Sequence, residues 1–314
     1  MNAIWPEIPF EKWRETCTAL HLYSQVVGKY RLARTPWINH SWHATFYVNA
    51  RGLTTSLVPD ASGIEIIFDL ISHAVIGEAA DGRRAEIPLG PMSVAEFHAR
   101  FRELIEQLGG TPKFDDRPNE VPDPISFGDD RQVRPYDAAA VTRFFRALVA
   151  ISSVFYRFRT GFIGKVSPVH LFWGSFDLAV TRFSGRLAPL HPGGVPALPD
   201  EVTREAYSHE VSSAGFWPGG GGTDFAAFYS YAYPVPQGFA AAKVEPEGAY
   251  FDQKLGEFLL PYDVVRKSAE PEAALMAFLE STYRAAADLG SWNHDALECA
   301  IGQPLRPRPL RRAQ

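Results

Sequence analysis

The chain has 314 residues, 46% of them apolar and 21% charged, enough to bury one large core or two modest ones, and nothing in this composition suggests a disordered or fibrous chain. Its formal net charge is −5 and acids and bases interleave along the sequence, so it lacks the basic face that tracking nucleic-acid phosphates requires. Seven Trp and 22 Phe supply aromatic surface for a thick core or an aromatic-lined cleft.

In chain order, Phe10 to Gly28 carries Phe10, Trp13, Cys17, Leu20 and Val27 at helical spacing, with Gly28 as the expected stop. A polar loop, Arg31 to Asn39, precedes a hairpin over His40 to Val58 that turns at Asn49–Gly52. Gly63 to Ile71 is a strongly apolar strand, and His73–Glu78 and Arg83–Pro88 flank an Asp81-Gly82 turn. Ser93 to Leu108 is a helix with a Ser93/Glu96 capping box and a Phe97, Phe101, Leu104, Ile105, Leu108 stripe. Asp115 to Pro135 is rich in Pro, Asp and Arg without periodicity, as in a linker or long surface loop.

Asp137 to Phe158 is a third helix. Strands are expected at His170–Phe183, His209–Phe216, Asp224–Tyr233 and Tyr250–Pro261, with a Pro/Gly loop at Pro189–Pro199. Pro271 to Leu289 is a last long helix with Pro in its first turn. The glycine run between Trp217 and Thr223 lacks the Lys-Ser/Thr of a phosphate loop and reads as a connector or as a flap over a cleft. Arg306 to Arg312 forms a short basic tail, expected to be disordered.

Two cysteines, Cys17 and Cys299, make no disulfide framework and point to a reducing compartment. The N-terminus lacks the order of a signal peptide, and no apolar run approaches the ~18 residues of a membrane span. A soluble cytoplasmic protein without a membrane or nucleic-acid partner is the expectation.

The fold class expected is α+β, mostly antiparallel sheet with four long helices. The two halves share a pattern: a helix, a Gly-Lys pair (Gly28-Lys29, Gly164-Lys165), a strand opening on His40 or His170, further strands, and a helix ending in Leu-Gly. A duplicated helix–sheet–helix unit accounts for this, as does chance similarity of short motifs. The divisions are 1–115, a linker or loop at 116–136, a second half at 137–300, and the tail 301–314.

Ionisable groups cluster within the strand-like segments of the second half, where they need partners and often mark a site. His209 with Glu210 offers an acid–base pair, and Asp177 an orienting carboxylate. The alternative is a set of strand-edge ion pairs involving Arg182 and Arg204. Trp217, Tyr229 and Tyr231 offer aromatic contact to a ligand, with Arg182 suited to an anionic group and His40 and His170 converging from separate strands. No metal is assigned, because the His spacings make no ready chelate on a strand. Ser175, read as mid-strand, does not sit in a nucleophile elbow.

The segments Trp5-Pro-Glu, Asn39-His40, Ser167 through Gly185, Arg204 through Pro218 and Phe228 through Pro234 resemble the DUF5996 family, a bacterial domain of unknown function. The resemblance covers the chain to about Glu298 and implies no activity, cofactor or partner. From the residues, the expected function is binding or transformation of a small polar organic molecule in an aromatic-lined cleft between the halves. A non-catalytic protein-interaction module is the alternative, and the cofactor and oligomeric state are not legible.

Overall fold

Two antiparallel sheets organise the chain, and a computed structural model describes it over residues 4–220 and 222–308. The first half comprises Phe10–Arg34 (α1), Tyr47–Val48 (β1), Gly52–Thr54 (β2), Ile64–Asp69 (β3), Ala74–Ala79 (β4), Arg84–Pro88 (β5) and Val94–Gln107 (α2). The second comprises Ala138–Thr160 (α3), His170–Phe172 (β6), Asp177–Leu187 (β7), Asp200–Ala206 (α4), His209–Trp217 (β8), Ala227–Tyr233 (β9), Tyr250–Asp252 (β10), Glu257–Pro261 (β11), Tyr262–Lys267 (α5), Pro271–Leu289 (α6) and His294–Leu297 (α7). The architecture is α+β, with strand orders β1-β2-β3-β4-β5 and β10-β11-β9-β8-β7-β6. The four long helices are α1, α2, α3 and α6, so each half runs from a long helix through an antiparallel sheet to a second long helix.

Among the described residues, a single bridge joins the sheets. Phe46 N–H donates to Leu171 O at 2.9 Å and Leu171 N–H donates to Phe46 O at 2.8 Å. The hydrophobic core is continuous across this seam, from Trp5 to Trp292. On the first sheet, Ser93 Oγ caps α2 by accepting from Glu96 N–H, and the α2 stripe packs inward. On the second, Leu178, Val180, Phe216 and Phe228 join a core shared with α3 and α6. Helix α3 is long and apolar enough to cross a bilayer by length and composition, but 61% of that window is buried.

Several expected boundaries shift for physical reasons. Helix α1 continues through Gly28 to Arg34, because Gly28 is a close-packing position: a Cβ there would lie 2.3 Å from the Trp173 ring. The indole of Trp173 is fixed by donating to Ala44 O at 2.6 Å, again across the two halves. The His170–Phe183 segment is a hairpin, turning at Trp173–Phe176 with Phe176 at φ 56°, so Ser175 lies in a turn. Tyr250–Pro261 is also a hairpin, with Gly256 at φ 74° in its turn. Only a short part of His40–Val58 is strand. His40 itself adopts φ 60° in a 3-10 turn.

In the glycine run, Gly219 packs on α1, where a Cβ would lie 2.4 Å from the Phe10 ring, and Gly221 falls outside the described residues. Within the expected basic tail, Arg308 Nε donates to Ala300 O at 3.0 Å, and residues 309–314 fall outside the described residues.

Substituting Gly28→Ala is expected to force Trp173 off its seat and to destabilise the protein by about 1–3 kcal/mol, the usual range for overpacking. Urea denaturation checks this, and an unchanged midpoint would show that the Gly28–Trp173 contact does not fix α1.

Candidate functional site

Strand alternation divides the second sheet into two unlike faces. One is the apolar face under α3 and α6. The other floors a cavity of about 910 Å³, with Asp177, Ala179, Thr181 and Phe183 from β7, Val211, Ser213 and Trp217 from β8, Tyr229 and Tyr231 from β9, and Glu257 from β11. Its walls come from α1 at Lys29, the turn at His40–Trp42, the loop Asp115–Glu120, the β6–β7 turn, and α4 with the loop before it.

At one end, three carboxyl groups and a set of phenols converge. Gly215 is paired with Ala179 on one side and Tyr229 on the other. A Cβ on Gly215 would lie 2.3 Å from the Tyr229 ring, so the bare backbone lets that ring lie across β8. Tyr229 Oη then donates to Asp177 Oδ2, and Ser175 Oγ donates to Asp177 Oδ1 at 2.5 Å. Tyr229 stacks on Tyr231 with centroids 6.0 Å apart and lies 4.3 Å from the Trp217 ring. Tyr231 Oη meets Tyr207 Oη at 2.9 Å, and Ser213 Oγ meets Thr181 Oγ1 at 2.8 Å.

Glu120 enters over Gly174, where a Cβ would fall 2.1 Å from Glu120 Oε1. Burial, reinforced by the Asp177 charge, pushes the Glu120 carboxyl up to about 7. Burial, with Asp177 and Asp252 adding to it, pushes Glu257 up to about 8. Asp177, 4% exposed, is also raised by burial, against which its Ser175 and Tyr229 hydrogen bonds work. Like charges in one enclosure resist joint ionisation, which adds to the effect of burial on Glu120 and Glu257.

The loop carrying Glu120 is tied to α1. Gln25 Nε2 donates to Asn119 O at 2.8 Å, and Asn119 N–H donates to Gln25 Oε1 at 3.0 Å. Lys29 Nζ donates to Asp115 Oδ2 at 2.5 Å and to Asn119 Oδ1 at 2.7 Å. Glu120 N–H donates to Pro196 O at 3.0 Å, binding this loop to the one before α4. The front of the 116–136 segment is therefore a wall of the site.

On the His40 wall of the cavity, the His40 backbone N–H donates to Glu205 Oε2 at 2.9 Å. His40 Nδ1 lies 2.6 Å from Ala206 O, which makes Nδ1 the protonated nitrogen and leaves Nε2 to accept from Lys165 Nζ at 2.6 Å. Lys165 Nζ sits 4.9 Å from the Phe183 centroid and 5.4 Å from that of Trp42. Burial lowers the pKa of both Lys165 and His40. Among the described residues no three His, Cys, Asp or Glu side chains are grouped to hold a metal ion.

A family model, described as a family of unknown function (DUF5996), matches residues 5–299. The chain belongs to the DUF5996 family. No curated protein and no solved structure matches it. In this DUF5996 chain, Asp177, Trp217, Tyr229, Tyr231 and His40 are brought together around one cavity.

Other expected site residues lie elsewhere. His209 and Glu210 are adjacent on β8, so the period-two alternation sends them to opposite faces and they form no acid–base pair. His209 stands beside His40, with ring centroids 6.0 Å apart. Glu210 accepts from Arg186 and from Ser184 Oγ, each at 2.7 Å, on the far face. Arg182, 1% exposed, also points to that face, so the role of anion holder in the cavity does not fit it. Its guanidinium lies 3.5 Å from the Phe158 centroid, donates to Phe158 O at 2.5 Å and pairs with Glu280 at 3.5 Å. His170 is fully buried outside the cavity lining, and burial pushes it down to about 3, so it is neutral.

Glu120, Glu257, Tyr207 and Lys165 were not singled out as site residues. Glu257 opens the apolar run Glu257-Phe-Leu-Leu-Pro261, where a lone acid at a strand start was the available signal. Glu120 lies in an aperiodic segment and gave none.

The raised carboxyls have a stability consequence. A folded pKa above the unfolded value near 4.5 means the folded state binds more protons between the two. Their contribution is fully present below about 4.5 and is lost as pH rises through about 7 to 8. Urea denaturation at several pH values should therefore show the Glu120→Gln/Glu257→Gln variant gaining stability over the unmodified chain as pH rises. A difference independent of pH would show that neither carboxyl is raised.

Proposed function

We propose that the protein binds a small organic molecule in the cavity and carries out acid–base chemistry on it with the Asp177, Glu120, Glu257 and Tyr229 cluster. The supporting observation is that the buried Asp177, the half-buried Glu120 and Glu257, and the Tyr229 phenol share one aromatic-walled cavity of about 910 Å³, within the size range of small-molecule sites. Carboxyls poised at about 7 and about 8 exchange protons readily near neutral pH, as a general acid or base requires. Tyr229 and Asp177 form a donor–acceptor unit that positions one proton.

His40, bonded to Lys165 and Glu205, lines another wall, so a ligand reaching it meets an imidazole there in place of the carboxyl cluster. Trp217, Tyr229 and Tyr231 line the cavity, which favours a ligand-sized guest over the flat surface of an interaction module. The two free cysteines support a reducing, cytoplasmic setting. The shared helix–sheet–helix order supports descent of the halves from one unit.

Screening aromatic and heteroaromatic fragments by ligand-observed NMR tests the reading. Hits should be lost or weakened about tenfold or more in Tyr229→Phe, which keeps the ring but removes the hydroxyl holding Asp177. Hits indifferent to Tyr229→Phe and to Glu257→Gln would place binding elsewhere and overturn it.

A further inference from the structure

The carboxyl end of the cavity lacks a counter-ion. Among the described residues, no Lys or Arg forms an ion pair with Glu120, Asp177 or Glu257. Of the cations on or near the cavity wall, Arg117 belongs to the loop of Glu120 but forms no ion pair with the cluster, and three others are engaged elsewhere. Lys29 is bound to Asp115 and Asn119, Lys165 is held by His40, and Arg182 faces away with Glu280. Among the described residues, three further groups on the cavity wall are incomplete. Glu257 Oε2 is buried without a hydrogen-bond partner, as are the Trp217 indole N–H and the hydroxyl of Thr203, a residue only 2% exposed. Buried polar atoms are ordinarily paired, so these mark places where a guest completes the site.

We infer that the ligand carries an organic cation, an ammonium or amidinium-like group, that docks between Asp177, Glu120 and Glu257. This rests on reading the cavity as a ligand site and adds the class of ligand. The physical argument is one of sign. An enclosure holding three carboxyls is destabilised by each negative charge it acquires, and a bound cation reverses that term. A neutral guest leaves the repulsion in place and an anionic guest adds to it. The π systems of Trp217, Tyr229 and Tyr231 contribute negative potential at the same end.

Cation binding is consequently linked to proton release. The groups facing the cluster are Tyr229 and Tyr231 from β9, Tyr207 after α4 and Asp252 from β10. Burial raises the three phenols, which stay protonated and do not offset the release by taking up a proton. Affinity for a permanently protonated amine therefore rises as pH increases through the range in which Glu120 and Glu257 ionise.

Three near-isosteric probes test the inference by titration calorimetry on the full chain: phenethylamine, 2-phenylethanol and 3-phenylpropionate. Measurements at about pH 6.5 and about pH 8, in buffers of different ionisation enthalpy, count the protons exchanged. The amine is expected to bind about tenfold or more tightly than the alcohol, to release protons, and to bind more tightly at the higher pH. Glu257→Gln, or Glu120→Gln should the first not fold, is expected to erase most of that preference. Alcohol or carboxylate binding as tight as the amine, and sensitive to Tyr229→Phe, would overturn the cation inference and leave the cavity reading standing. Failure of all three probes, together with an empty fragment screen, would overturn both.

Discussion

The hydrogen bond from Tyr229 to Asp177 crosses an entire strand, and the polar face of the second sheet is arranged around it. Asp177 occupies β7 and Tyr229 β9, with β8 between them. The span is possible because Gly215 presents only backbone beneath the phenol ring. Once the ring is laid flat, Trp217 and Tyr231 pack to either side of it and Asp177 is sealed from solvent. Burial raises the Glu120 and Glu257 carboxyls, and the charge of the Asp177 held here adds to that effect. A missing side chain on one strand thus helps to place a carboxyl whose charge is felt on two other segments.

The same sheet shows how one alternation separates structural from chemical residues. Thr181 and Arg182 are neighbours, yet one faces the cavity and the other is clasped by Phe158, Phe162, Tyr283 and Glu280. Arg182 is a core residue held by aromatic faces, a carbonyl and one carboxylate, with its Nε buried and without a hydrogen-bond partner among the described residues, and its stem packs like any apolar side chain. His170, neutral and without a hydrogen-bond partner among the described residues, belongs to a similar interior at the seam between the sheets.

Much of this was legible in the sequence where periodicity carried the message. The capped Ser93 helix, the α3 stripe and the alternating Tyr229/Tyr231 face all follow from spacing. Chain direction at turns was harder. His170 to Phe183 has strand-like composition throughout, and only the left-handed Phe176 turns it into a hairpin. Gly28 looked like a helix stop because a glycine serving close packing and one serving a cap are the same letter. His209 and Glu210 looked like a pair by adjacency, which on a strand is the one spacing that separates two side chains. Glu120 was illegible because its position depends on Gln25 and Lys29, almost a hundred residues away in a helix with no polar motif of its own.

Among the described residues, the direct seam between the sheets is a single two-hydrogen-bond bridge, Phe46 with Leu171, yet the cavity draws on both sides of it. The second sheet supplies the floor, while Lys29, His40 and Trp42 arrive from the first half and Glu120 from the connection between them. A fragment confined to the second half would lack three walls, including the histidine that bonds Lys165. The site is thus a property of the pairing: any drift in how the halves meet changes the shape of the chamber before it changes either sheet, and the chain must vary as one unit.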